Sequence, residues 1–146
     1  MREIKFRIWI KDESKMIYLD DKENDVEINF LNNITSNHET YWEVVTKVSD
    51  LRFAHMPQYF DSRDSENVLM QYTGLKDKNG IPIYEGDLIN LGNTGRKHIG
   101  VASIVWYGAG FSINQNKYMG WLGKDIANNC EIVGNIYENP ELLESK

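Results

Sequence analysis

The stretch at residues 68–91, VLMQYTGLKDKNGIPIYEGDLINL, sets the fold, because three short apolar runs alternate in it with glycine turns. Val68–Tyr72 predicts a strand. Asn79-Gly80 is the strongest short signal for a hairpin, since both residues tolerate positive φ. Ile81–Tyr84 then predicts the returning strand, with Tyr72 and Tyr84 packed together across the hairpin.

The same alternation of apolar runs with glycine turns continues toward the C-terminus. Glu85-Gly86-Asp87 predicts a second turn before a strand at Leu88–Leu91. Further strands are predicted at Ile99–Tyr107, Phe111–Ile113 and Cys130–Tyr137, separated by glycine turns. Asn139 before Pro140 predicts the N-cap of one final helical turn. This order resembles the pattern of an SH3-like barrel, so the fold class is mainly β, ending in a small SH3-like barrel or a strongly bent antiparallel sheet with little helix.

The N-terminal part also has period two. Ile4, Phe6, Ile8 and Ile10 alternate with Lys5, Arg7 and Trp9, which predicts a half-buried strand, and residues 16–19 predict its hairpin partner. Strands are also predicted at Val26–Phe30 and Tyr41–Val48, the latter at an open sheet edge, and the polar residues 57–67 predict a linker. We therefore divide the chain into residues 1–66 and residues 67–146, which together form one compact unit.

Composition limits the choice of partners. The chain has 146 residues and a net charge of −6, and residues 21–66 hold ten carboxylates against four bases. Nucleic-acid binders gain most of their affinity from basic side chains, so nucleic acid is not the favoured partner. The acidic segment is interpreted as a solvated surface, with mimicry of DNA phosphates as the alternative.

Cellular location follows from cysteine usage and hydropathy. Cys130 is the single cysteine, which suits a reducing compartment, and its apolar context predicts a small buried side chain. The first residues lack the apolar region of a signal peptide, and no run approaches 18 apolar residues. The expected location is therefore cytoplasmic, with no membrane partner.

Three segments carry a resemblance to a known family. Residues 2–9 (REIKFRIW), residues 70–89 and residues 131–143 (EIVGNIYENPELL) are similar to the opening, the middle and the end of YopX-family proteins. The family commonly has an acidic residue after the Trp, where this chain has Ile10. The resemblance implies a small phage or prophage protein of a bacterial host, with no established activity, that forms homo-oligomers. It implies no catalytic residue and no cofactor.

The middle segment also offers a candidate polar site. Its exposed polar side chains are predicted to form one rim on a rigid scaffold, where loops often carry function. The alternative is that these residues only build two turns. The predicted rim consists of Gln71, Thr73, Lys76, Asp77, Glu85 and Asp87.

Aromatic residues offer a second candidate surface. Aromatic side chains within a basic groove can stack the bases of a single strand. The candidate aromatic and basic surface consists of Trp9, Trp106, Tyr107, Lys97 and Lys117. Core packing is the favoured interpretation of the aromatic residues, which leaves a nucleic-acid module in phage replication or recombination as the alternative function.

Sites for catalysis and metals are not predicted. His38, His55 and His98 are isolated, and Asp61, Asp64 and Glu66 lack the glycine of a calcium loop. No nucleophile elbow, phosphate-binding loop or dinucleotide fingerprint is present. The favoured function is therefore a non-enzymatic accessory protein that self-assembles and binds a host or phage protein, without cofactor.

Overall fold

The computed structural model describes residues 3–11, 14–19, 26–29, 43–46, 58–61, 67–92, 94–95, 100–115 and 118–143. Within these ranges the strands are β1 Phe6–Ile10, β2 Lys15–Tyr18, β3 Val26–Asn29, β4 Glu43–Thr46, β5 Gln58–Asp61, β6 Asn67–Lys76, β7 Pro82–Tyr84, β8 Asp87–Asn90, β9 Val101–Tyr107, β10 Gly110–Gln115, β11 Tyr118–Trp121 and β12 Glu131–Asn135. One turn of α-helix, α1 Lys124–Ala127, and a 3-10 turn at Pro140–Leu143 also occur. The predicted mainly-β fold class is confirmed.

The chain divides into two units. The N-terminal unit is Lys5–Leu69, and the C-terminal unit is Met70–Lys146 together with Met1–Ile4. The chain passes from the first unit into the second within β6. Each unit has its own hydrophobic cluster, as described below.

The predicted N-terminal hairpin is confirmed. β1 and β2 pair antiparallel with Ile8 opposite Ile17, and these side chains belong to a small apolar cluster. The predicted outward face of β1 is wrong, because Arg7 and Trp9 are 3% and 7% exposed. The guanidinium of Arg7 lies 6.0 Å from the ring centroid of Tyr18, its neighbour across the hairpin. Both faces of β1 are therefore covered.

The acidic segment contributes a sheet of its own. β3, β4 and β5 form a three-stranded antiparallel sheet in which β4 is central. The predicted strands at residues 26–30 and 41–48 are confirmed, but the second is not an edge, because β4 has a neighbour on each side. The prediction of a linker at residues 57–67 is wrong where β5 forms.

The C-terminal unit is built around a five-stranded antiparallel sheet. Its strand order is β11-β10-β9-β8-β12, and the inner side chains of these strands surround one core. Ile83 of β7 and Leu75 of β6 join that core from the separate β6–β7 hairpin. Period-two alternation explains this arrangement, since Ala102 and Ile104 point inward from β9.

Two hairpin turns depend on glycine. At the tip of β6–β7, Gly80 has φ +80°, while Asn79 does not share the positive φ that the sequence predicts for both residues. A turn closed by one left-handed glycine is the usual form of a slightly longer hairpin loop. Between β9 and β10, Tyr107 pairs with Gly110, and Gly108 takes φ +63°. Glycine in the first central position suits such a two-residue turn.

The C-terminal end contains elements that were only partly predicted. The final helical turn is confirmed, and Asn139 lies at the predicted N-cap position, where its carbonyl accepts from the N–H of Leu142 at 3.1 Å. Its side-chain oxygen accepts a hydrogen bond from the N–H of Asn135 at 3.4 Å. β11 and α1 were not predicted. No helix among the described residues is long and apolar enough to cross a membrane.

Candidate functional site

The β6–β7 hairpin holds two buried aromatic rings. Tyr72 and Tyr84 are directly opposite each other, with ring centroids 5.5 Å apart. Both side chains are buried. The predicted cross-strand pair is confirmed, and it fixes the register of the hairpin that carries the predicted polar rim.

Asp77 is the centre of the hairpin tip. Its carboxylate accepts hydrogen bonds from the backbone N–H of Asn79 (2.8 Å), Ile81 (2.9 Å) and Ile132 (3.2 Å). The side chain of Asp77 is 4% exposed. Ile132 lies in β12, so one carboxylate holds the turn closed and also ties it to a strand 55 residues away. We call Asp77 and these three N–H groups the hairpin clamp.

A second contact reinforces the hairpin clamp. The N–H of Lys78 donates to the carbonyl of Cys130 at 3.0 Å, and the ammonium of Lys78 forms an ion pair with Glu131. Since both charged side chains are partly exposed, this ion pair contributes about 0–1 kcal/mol. The buried carboxylate of Asp77 is therefore the stronger tie.

Thr73 and Asp87 also support the backbone. The hydroxyl of Thr73 donates to the carbonyl of Ile83 at 2.8 Å and accepts from the N–H of Leu75 at 3.2 Å. The carboxylate of Asp87 accepts from the N–H of Tyr84 at 2.7 Å across the Glu85-Gly86 turn. Both side chains are buried, at 7% and 2% exposure.

The predicted exposed rim is therefore wrong for three of its members. Thr73, Asp77 and Asp87 are buried because backbone donors and acceptors of the two turns require their oxygen atoms. Lys76 is exposed, and Gln71 and Glu85 are half-buried. The structure joins these last two through the backbone, since the N–H of Glu85 donates to the carbonyl of Gln71 at 2.9 Å. A binding role for the remaining three side chains stays a prediction.

The described members of the predicted aromatic and basic surface differ in their exposure. Trp9 is buried in the N-terminal unit, while Trp106 and Tyr107 are 50% and 60% exposed in the C-terminal unit. Lys97 and Lys117 lie outside the described residues. Trp106 packs edge-on against Phe111, with centroids 4.9 Å apart.

The outer face of β9–β11 carries a different aromatic group. Side chains directly opposite one another in an antiparallel pair lie on one face. Tyr107 is opposite Gly110, and Trp121 is opposite Ser112, so both aromatic side chains lie on the face away from Ile104 and Ile113. Met119 is on the same face and is 47% exposed, while Trp121 is 62% exposed. We call Tyr107, Met119 and Trp121 the outer aromatic face.

Gly110 makes room for this face. A Cβ at Gly110 would lie 3.2 Å from Cζ3 of Trp121, so the indole ring extends over β10. The aromatic residues of the sequence YMGW favour a strand at β11, but Gly120 lowers the strand propensity of so short a run. The outer aromatic face was missed for this reason.

Within the described part of the chain, β11 also presents a free edge. The N–H of Leu122 donates to the carbonyl of Phe111, so these two residues form a hydrogen-bonded pair just beyond β11. In an antiparallel ladder such pairs alternate with pairs that are not hydrogen-bonded, so every second residue of β11 bonds to β10. The intervening residues, Met119 and Trp121, therefore direct their N–H and C=O groups away from β10. Among the described strands, β11 has β10 as its neighbour on one side and none on the other.

Cys130 is buried next to the hairpin clamp. The thiol is 0% exposed and donates to the carbonyl of Ala127 at 3.3 Å. Burial, and then the negative charge of Asp77, raise the pKa of Cys130 to about 11. The predicted buried cysteine is confirmed, and its neutral form is the stable one in the folded chain.

This pKa predicts slow thiol chemistry. At pH 8, disulfide exchange with an aromatic disulfide reagent should be about 100-fold slower in the folded chain than in urea, because little thiolate is present. Since the folded pKa is raised, the contribution of Cys130 to the free energy of unfolding should be fully present below about pH 8.5 and should be lost as the pH rises toward about 11. Equal thiol reactivity with and without urea would contradict the burial of Cys130.

Metal ligands do not converge in the described part of the chain. No group of three or more His, Cys, Asp or Glu residues there is arranged to hold a metal ion. The three histidines lie outside the described residues. The absence of a metal site therefore stays a prediction for the chain as a whole.

The fold and these surfaces define a small mainly-β protein with a clamped hairpin and an exposed aromatic sheet face. The family model described as YopX protein matches residues 5–144. The chain therefore belongs to the YopX family, as the resemblance implied.

Two solved structures share the fold. Protein EF1440 from Enterococcus faecalis is 24% identical, with a TM-score of 0.64 over 98% of this chain and 99% of that chain. Protein yopX from Bacillus subtilis is 22% identical, with a TM-score of 0.62 over 97% of this chain and 98% of that chain. No curated protein matches the chain.

Proposed function

We propose that this chain is a non-enzymatic phage or prophage accessory protein of the host cytoplasm, which self-assembles through β11 and binds a host or phage protein. The observation that supports this proposal is the combination of the outer aromatic face with the edge of β11, which is free among the described strands. Exposed Trp and Tyr side chains are typical anchors of protein interfaces. A free strand edge supplies backbone donors and acceptors for another strand.

The two edges of the five-stranded sheet differ. β12 has a bulge between Ile132 and Gly134 where it pairs with β8, and bulges are a common means of protecting an edge. β11 has no charged residue and no proline. Pairing between the β11 edges of two copies is therefore favoured over pairing of β11 with β12. Like-to-like pairing is closed by a two-fold axis and gives a dimer rather than a fibre.

The exposed area indicates a modest affinity. Each exposed aromatic side chain offers roughly 100 Å² to a partner, against about 800 Å² per partner in a standard interface. The outer aromatic face is thus too small to hold a dimer alone, and backbone pairing at β11 has to add to it. We expect an association that depends on protein concentration and changes little with salt, because apolar contacts and backbone hydrogen bonds are weakly screened.

A nucleic-acid module is the alternative function, and salt separates it from the proposal. Binding to phosphates would weaken steeply as salt increases. Self-assembly that persists at high salt, together with no retention of single-stranded DNA, supports the protein-binding function. Salt-sensitive DNA binding by a monomeric chain would support the alternative.

Trp121 and Trp106 allow a matched test. Both indoles are at least half exposed, but Trp121 is on the outer aromatic face, while Trp106 lies on the same side of β9 as the core residue Ile104. By sedimentation velocity over a concentration series, Trp121→Ser should weaken self-association about tenfold or more. Trp106→Ser should change the strength of self-association by less than about twofold, since substitutions at the surface away from an interface usually have small effects. A wild-type chain that stays monomeric at every concentration would refute self-assembly.

A further inference from the structure

The hairpin tip also contains a site for a chemical modification. Asn79 is the one asparagine in the sequence that is followed by glycine. In such a pair the backbone nitrogen of glycine can attack Cγ of asparagine, because no side chain obstructs its approach. Both residues are exposed, and nothing lies within 4 Å of the position where a Cβ on Gly80 would be.

We infer that Asn79 is a site of spontaneous deamidation whose rate is set by the hairpin clamp. In the reaction the Gly80 nitrogen loses its proton to solvent base and bonds to Cγ of Asn79. The Cγ–Nδ2 bond then breaks, and the amide nitrogen takes up a proton from solvent and leaves as ammonia. Water then opens the cyclic imide at one of its two carbonyls. The products are aspartate, or isoaspartate with one additional methylene group in the backbone.

The folded turn restrains each participant in this reaction. The N–H of Gly80 donates to the backbone carbonyl of Asp77 at 3.0 Å, which opposes loss of its proton. The carboxylate of Asp77 holds the N–H of Asn79 at 2.8 Å and its Nδ2 at 3.4 Å. Cγ therefore reaches the Gly80 nitrogen only after the turn opens. The rate should follow the population of the open turn.

The modification would in turn weaken the clamp. A carboxylate at position 79 would replace an amide that contacts Asp77, so two negative charges would face each other at the hairpin tip. Isoaspartate would also displace the N–H groups that converge on Asp77. Deamidation should therefore weaken the connection between the hairpin and β12 that Asp77 provides.

The test compares deamidation rates at mildly alkaline pH. Peptide mapping by mass spectrometry, with an enzymatic assay for isoaspartate, would follow the exchange of NH₂ for OH at Asn79 in the full chain. The folded wild type should react about tenfold or more slowly than the same chain in urea. Asp77→Ala should react faster than wild type, and Asp77→Asn, which keeps one acceptor oxygen, should lie between them.

Two comparisons keep the test decisive. Asn79→Gln should remove the signal at this position, and the asparagines not followed by glycine report background deamidation in the same digest. If Asp77→Ala does not fold, the milder Asp77→Asn still has to exceed the wild-type rate. Equal rates for folded and unfolded wild type, or no acceleration in the Asp77→Asn variant, would overturn the inference.

Discussion

Asp77→Ala should lower the free energy of unfolding by about 4 kcal/mol, because it removes a buried carboxylate and leaves three part-buried backbone N–H groups without their acceptor. A loss of this size is a large part of the stability of a typical domain, about 5–15 kcal/mol. The hairpin tip would lose its side-chain tie to β12 and would keep the contacts that Lys78 makes with Cys130 and Glu131. Urea denaturation followed by tryptophan fluorescence measures this loss.

The series around Asp77 separates the hydrogen bonds from the change in surface charge. Asp77→Asn keeps one acceptor oxygen and should cost about half as much as Asp77→Ala. Asp125→Ala removes an exposed carboxylate from the same unit and should change stability by less than about 0.5 kcal/mol. If Asp77→Ala were no more destabilising than Asp125→Ala, the proposed clamp would be wrong.

Local turn chemistry explains why much of the fold follows from the sequence. Glycine at positions 80, 86 and 108 has positive φ in the structure, and the segments beside these turns form the predicted strands. Period-two patterns likewise identify β1 and the inward side chains of β9. These signals are local, so they can be recognised without knowledge of packing.

The predictions that are wrong concern residues whose burial or strand pairing depends on another part of the chain. Arg7 looks like a solvent-facing residue of a half-buried strand, but cross-strand packing with Tyr18 helps to cover it. β5 lies in a polar segment that has no strong strand signal, and its pairing with β4 creates the strand. Pairing across a sheet is not encoded in neighbouring residues.

The candidate site shows the same division. The sequence predicts a polar site within residues 71–87. It cannot show that the carboxylate of Asp77 accepts a hydrogen bond from the N–H of Ile132, because that contact spans 55 residues. The polar side chains that the turn motif predicts to be exposed are instead buried and form hydrogen bonds with the backbone of the turns. The outer aromatic face depends on the register of β10 with β11, which only the folded sheet reveals.

Met119→Pro should abolish most self-association while leaving the fold intact. Proline lacks the backbone N–H that Met119 directs away from β10, and proline is tolerated at sheet edges where that N–H faces solvent. The hydrogen bonds between β10 and β11 use the alternate residues and should persist. We expect the apparent dissociation constant to increase by about 100-fold, since the substitution removes edge donors and obstructs the approaching strand.

Met119→Ala is the matched control for this substitution. It removes the same side chain from the outer aromatic face but keeps the backbone N–H. Its effect on association should be less than about tenfold, because a single exposed methionine contributes little area. Circular dichroism and urea denaturation of both variants would establish that β11 is still formed.

The most direct test of the proposed assembly is light scattering coupled to size exclusion, performed on the wild type and on these two variants at low and high salt. We expect a mass above that of one chain for the wild type and Met119→Ala at both salt concentrations, and a monomeric mass for Met119→Pro. A wild-type chain that is monomeric throughout, or a Met119→Pro variant with the wild-type mass, would contradict assembly through the edge of β11.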